Sequence, residues 1–137
     1  TGEPTYQSLA PGFPLGKRFK SAPVVRVCDA NPLHLGHQAK ADGRWRLYVF
    51  ADAAAANEDS SLSRWAAWLT DSPQSPVVAY TPRDSDIDHL FDVKVIYQQP
   101  HPDVDINRVP RAFLPHTGPF ELVNYDPHPH IKAAVSV

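Results

Sequence analysis

The stretch 33–52, LHLGHQAKADGRWRLYVFAD, constrains this chain more than any other. Trp45, Leu47 and Val49 alternate with Arg44, Arg46 and Tyr48, the period of two that belongs to a strand, and Phe50-Ala51 extends the apolar run. Asp42-Gly43, just before it, tolerates the positive φ angles of a tight turn. Together these signals predict a hairpin, with one strand over 35–40, a turn at 41–43 and a second strand over 44–51. The arginine-bearing face becomes fully apolar toward its end, which predicts deep burial there.

The 137 residues suffice for one domain with a real core, and 15 prolines predict short elements joined by long loops. Residues 1–22, rich in Pro, Gly and polar residues, read as an extended, surface-hugging lead-in, and 23–137 as the domain proper. Val24, Val25 and Val27 after Pro23 predict a short strand, broken by the turn signal Asp29-Ala30-Asn31-Pro32. Leu62, Trp65, Trp68 and Leu69 fall on one helical face, with Asp59, Ser60 or Ser61 as cap and an end by Asp71 or Ser72, ahead of Pro73. That face is expected to cover a sheet with two tryptophans. Residues 76–80 (PVVAY) read as a short strand and 81–88 as a charged loop. A clear strand follows, in which Phe91, Val93, Val95 and Tyr97 alternate with Asp92, Lys94, Ile96 and Gln98. Residues 107–112 fit either a helical turn or a loop. Phe113-Leu114 and 122–125 flank His116-Thr117-Gly118-Pro119 as a terminal hairpin, and 126–137 form a tail. This order predicts an α+β (α/β) domain, a mixed sheet flanked by helices, compatible with a thioredoxin-like architecture.

The chemistry on offer is sparse. A net charge of -2 argues against nucleic acid or an anionic membrane as partner, and no apolar run approaches a membrane span. The single cysteine, Cys28, excludes an internal disulfide and a Cys-x-x-Cys redox pair, and fits a reducing, cytoplasmic setting. The absence of methionine leaves two origins open, a trimmed initiator or a piece of a longer chain. Cys28 follows an apolar strand and precedes Asp29, so it reads as buried and inert rather than as the thiol of a thioredoxin- or peroxiredoxin-like oxidoreductase. His34 and His37, and His128 and His130, have spacings a metal or small-ligand site can use. On a strand, however, His34 and His37 would point to opposite faces. Asp84, Asp86 and Asp88 lack the twelve-residue calcium pattern. Arg44 and Arg46 are expected to pack their stems and pair their heads, with Asp42 and Asp52 as partners. No nucleophile elbow, phosphate loop or dinucleotide fingerprint occurs. These residues hold no self-contained active site: no catalytic, cofactor-binding or metal residue is assigned.

One long ordered set of short motifs does carry information. It comprises Gly12-Phe13-Pro14, Gly16-Lys17-Arg18, Ala22-Pro23-Val24-Val25-Arg26, His34-Leu35-Gly36-His37 and Ala41-Asp42-Gly43-Arg44-Trp45-Arg46. Phe91-Asp92-Val93, Gln98-Gln99 with His101, Leu114-Pro115 and Gly118 continue it. From about Gly12 to Tyr125 the chain resembles the C-terminal domain of the phenol hydroxylase family of FAD-dependent aromatic monooxygenases, which includes 3-hydroxybenzoate hydroxylases. The ending, Asn124-Tyr125-Asp126-Pro127-His128, departs from the Asp-Tyr-Glu-type finish of that family. The resemblance implies a thioredoxin-like fold without redox cysteines, serving subunit association as a homodimer or bracing the chain's own FAD and substrate domains. FAD and NADPH are implied for the parent enzyme and not for these residues. The structural or interface candidates are His34, Gly36, His37, Asp42, Gly43, Arg44, Trp45, Arg46 and Asp52. The segment from Ala51, ADAAAANED, stands where a thioredoxin would carry its cysteine motif.

Overall fold

Among the described residues, seven strands and two helices emerge from these signals, though not always where the local pattern places them. The computed structural model describes residues 6–9, 11–19, 21–54, 58–120, 122–123 and 133–134. The strands are β1 (Pro23–Arg26), β2 (Pro32–His34), β3 (Trp45–Phe50), β4 (Phe91–Tyr97), β5 (His116–Thr117), β6 (Leu122–Val123) and β7 (Ala133–Ala134). The helices are α1 (Ser61–Asp71) and α2 (Pro76–Tyr80). Five strands form one mixed sheet in the order β2-β1-β7-β4-β3, and β5 and β6 form a separate hairpin. β1 runs antiparallel to β2 and β7, whereas β4 runs parallel to β3 and β7. The predicted α+β class with a mixed, helix-flanked sheet therefore holds, and the arrangement is consistent with a thioredoxin-like fold.

The hairpin predicted over 33–52 is not there. β3 pairs in parallel with β4, Trp45 opposite Phe91 through Phe50 opposite Ile96. Its predicted partner is instead the end of β2 followed by a 3₁₀ turn, Leu35–Gln38. Parallel neighbours need a long crossover, and α1 and α2 lie in it. The hairpin of this region lies one element earlier: β1 and β2 are joined through residues 27–31, with Ala30 at a φ of 56°. The apolar end of the predicted strand is buried only in part: Ala51 is 2% exposed, but Phe50 is 51% exposed, because β3 is an edge strand. The interior strand β4 is buried from Asp92 to Tyr97.

α1 forms as its pattern predicts. Ser60 caps it, accepting from the Ser63 amide while the Ser63 hydroxyl accepts from the Ser60 amide. Leu62, Ala66 and Leu69 face the core, with Trp65 half-buried beside them. Trp68 stays exposed, so one tryptophan covers the sheet, not two. The sequence 76–80 is helical rather than extended. Ser75 caps it through the Val77 amide, and Pro76 fits the first turn, where no amide hydrogen is needed. Two 3₁₀ turns, Ile106–Arg108 and Arg111–Phe113, settle the ambiguous segment. The terminal hairpin is real but shifted, with β5 beginning at His116 inside the predicted turn. The tail beyond Val123, except β7, lies outside the described residues, and with it His128 and His130.

The two faces of β4 see different surroundings. Val93, Val95 and Tyr97 pack with Ala51, Leu62, Ala66, Leu69, Val77 and Phe113 in the main core. Ile96, on the other face, joins Val24, Leu35, Leu33 and Tyr48 in a smaller cluster.

A candidate association surface around the edge strand

The sheet face opposite the helices carries a charge network set up by strand parity. Arg44, Arg46, Tyr48 and Phe50 share one side of the β3 segment; register places Arg46 against Asp92 and Tyr48 against Lys94. The Asp92 and Lys94 side chains are 0% exposed, and the Lys94 Nζ donates to Asp92 Oδ1 at 2.9 Å. Arg46 Nε lies 3.4 Å from Asp92 Oδ2. On the outer side, Arg46 Nη2 donates to Asp42 Oδ1 at 2.8 Å, and Arg44 reaches Asp42 Oδ2 through Nε at 3.0 Å and Nη2 at 2.8 Å. Arg44 Nη1 also lies 3.2 Å from Asp88 Oδ2. Three cations thus meet three carboxylates, so the network is neutral as a set.

The electrostatics follow from that geometry. Hydrogen bonds from Arg44, then from Arg46, outweigh burial and hold the Asp42 carboxyl well below its ordinary range. Burial pulls the Lys94 ammonium down from its ordinary value, opposed by the charge and hydrogen bond of Asp92. Tyr48, lodged between the network and the small apolar cluster, has its hydroxyl pushed up by burial and by Asp92. The arrangement is a stabilised cross-strand lock.

The candidates read from the sequence divide accordingly. Asp42, Arg44 and Arg46 come together, and Gly43, at a φ of 78°, makes the turn that brings Asp42 back onto both arginines. Asp52 does not pair with them; its Oδ2 instead accepts from the Leu62 amide at 3.4 Å, at the start of α1. Gly36 is required by a close approach: a Cβ there would stand 2.9 Å from the Ser21 Cβ. His34 and His37 are exposed, but they are not on opposite faces. A 3₁₀ turn nearly eclipses positions three apart, and the two rings lie 5.4 Å from each other. Cys28 sits exposed in the β1–β2 turn and is not buried, because β1 already ends at Arg26. Trp45, 71% exposed, projects from the start of the edge strand.

Three features escaped sequence reasoning. Asp92 and Lys94 look like a solvent face in an alternating strand. Gln98 and Gln99 clamp the loop after β3, donating to the carbonyls of Ala51, Ala53 and Ala54; the Gln-Gln pair at the end of β4 was the available signal. The lead-in is the third: Phe13 stacks on Phe19, Phe19 on Tyr48 at 4.5 Å, and Phe13 meets Phe50 at 5.2 Å. The lead-in therefore lies against the sheet face at the β3 margin, and its aromatic content was the clue.

No described helix is long and apolar enough to cross a membrane.

Comparison with known proteins finds a family and two relatives. The model of a family described as the phenol hydroxylase C-terminal dimerisation domain matches residues 2–128. The chain is 44% identical over 127 residues to a 3-hydroxybenzoate 4-monooxygenase of Comamonas testosteroni, an alignment covering 92% of this chain and 20% of that protein. It is 32% identical over 117 residues to the FAD-dependent monooxygenase terD of Aspergillus terreus, covering 85% of this chain and 19% of that protein. The chain thus spans about a fifth of the length of these curated relatives.

Proposed function

Since this chain belongs to the phenol hydroxylase C-terminal dimerisation domain family, we propose that it joins two copies of a flavin-dependent aromatic monooxygenase into a homodimer through its β3 edge. The catalytic work, with FAD and NADPH and a phenolic substrate, then falls to other parts of the parent enzyme, in the cytoplasm. The observation that carries this reading is the state of the edge strand. Natural sheets blunt an exposed edge with charges, proline or a bulge. β3 has six residues and no proline, and both of its nearby arginines are drawn inward to carboxylates. Trp45 and Phe50 stand exposed at its two ends, and Phe50 continues into the aromatic contacts of the lead-in. An edge strand with exposed aromatic ends and its arginines paired suits the apolar centre of an interface. Asp42, Gly43, Arg44 and Arg46 serve this edge by holding its shape, and Trp45 is its contact residue.

Sedimentation velocity across a wide concentration range tests the proposal. The wild-type chain should self-associate, and a Trp45→Lys/Phe50→Lys variant should shift to monomer with its circular dichroism unchanged. Trp68→Lys, on the exposed face of α1, should associate as wild type. A wild-type monomer at all concentrations would overturn autonomous dimerisation, and association unchanged in the double variant would move the interface off β3.

A further inference from the structure

We infer that His34 and His37 form a two-imidazole chelate for a borderline divalent transition-metal ion such as zinc, independent of the association surface. Imidazole is the commonest protein ligand for such ions, and both rings here are exposed. Two imidazoles bound to one tetrahedral ion at metal–nitrogen distances of about 2.0–2.1 Å place their ring centroids about 5 Å apart. The rings of His34 and His37 stand 5.4 Å apart, tilted by 43°. The backbone therefore already holds the two rings close to that spacing, and rotation of the exposed side chains would aim their nitrogens at one ion.

What distinguishes this pair from two surface histidines is the rigidity of the backbone between them. His34 ends β2, opposite Pro23 of β1. Leu35 is 2% exposed in the small apolar cluster, and its amide donates to the Ala22 carbonyl at 2.9 Å. The Gly36 amide donates to Ser21 Oγ at 3.0 Å, with Ser21 so close that a side chain at 36 would collide with it. The backbone carrying both rings is thus pinned at two consecutive residues, so folding fixes the spacing from which the two side chains reach. Among the described residues no third His, Cys, Asp or Glu completes a set. Water, or a ligand from a second molecule, takes the remaining positions.

Isothermal titration of the full chain with zinc chloride tests this, run on wild type, His34→Ala, His37→Ala and His128→Ala/His130→Ala. One equivalent should bind to wild type and to the tail double variant, and each single variant should lose the site. Histidine side-chain NMR should show both His34 and His37 shifting together on titration. Absence of stoichiometric binding by wild type, or a loss that follows His128 and His130 instead, would overturn the assignment. Both single variants alter exposed rings, so retained circular dichroism separates a lost ligand from a lost fold. Trp45→Lys/Phe50→Lys should bind zinc as wild type, which keeps this test distinct from that of dimerisation.

Discussion

Asp92 and Lys94 face each other with no exposure to water, an arrangement whose net worth is not the Coulomb attraction alone. Removing one partner strands the other charge in the interior. Asp92→Asn is therefore expected to cost about 3–5 kcal/mol, whereas replacing both by apolar residues of similar size should be close to neutral. Urea unfolding of Asp92→Asn, Lys94→Met and Asp92→Leu/Lys94→Met checks this, with the double variant recovering most of the loss of either single one. Asp42 makes a second prediction. Its folded pKa is depressed below an ordinary value of 3.8, first by its hydrogen bond from Arg44. Its contribution is fully present above that value and is lost as pH falls through the folded pKa. Acidification below pH 3.8 should destabilise the domain, and Asp42→Asn should flatten that acid limb. Some slope will remain, because Asp29 is also depressed, by Arg26. Of this network, the Asp42 partnership with Arg44 and Arg46 was legible in the sequence, since all three flank one turn. The Asp92–Lys94 pair was not: alternation marks polar positions, and nothing local tells whether the other sheet face is wet.

The elements separate into those fixed by local chemistry and those fixed by distant partners. The span of α1 is legible because its cap, its apolar spacing and the proline beyond its end all agree, but its pattern does not tell that Trp68 stays exposed. α2 was misread because PVVAY has the composition of a strand, and only Ser75-Pro76 signals a helix start. β3 was recognised as a strand, but a period of two does not name a neighbour, and β4 lies far along the chain. The His34–His37 relation failed for a related reason: strand parity was applied across a point where the strand becomes a 3₁₀ turn. The hydroxyl of Ser75 joins two elements. It is fully buried, donates to the Leu69 carbonyl at 2.5 Å, and accepts from the Val77 amide at 3.2 Å. Ser75→Ala leaves both groups unsatisfied and should cost about 2 kcal/mol, against about 1 kcal/mol for the cap variant Ser60→Ala. Chemical denaturation of the two variants side by side tests the ranking, and equal losses would mean the Ser75 contacts are weaker than their burial implies.

At the scale of the whole molecule, the sheet is covered unevenly. Helices and 3₁₀ turns enclose one face, while on the other the aromatic residues of the lead-in lie against Tyr48 and Phe50 at the β3 margin. A segment in that position has two physical roles to choose between. It either shields its own sheet or presents aromatic surface to a second copy, and the two roles differ in how they depend on concentration. Phe19 is 36% exposed and stacks on both Phe13 and Tyr48, so Phe19→Ala removes two ring contacts without opening a deep cavity. If the lead-in shields its own sheet, the variant loses about 1–2 kcal/mol of stability, since ring pairs contribute roughly 0.5–1.5 kcal/mol each beyond their buried area. That loss should be the same at every protein concentration. If the segment instead belongs to the interface, the variant loses apparent stability only where the wild type is associated, because binding to the folded state stabilises by mass action. The stacking of Phe19 on Tyr48, at 4.5 Å and 18° between planes within one chain, favours the first outcome. Thermal unfolding of wild type and Phe19→Ala over a hundredfold range of concentration decides it. Parallel shifts place the lead-in in the fold of the single domain, and a difference that vanishes on dilution places it in the dimer.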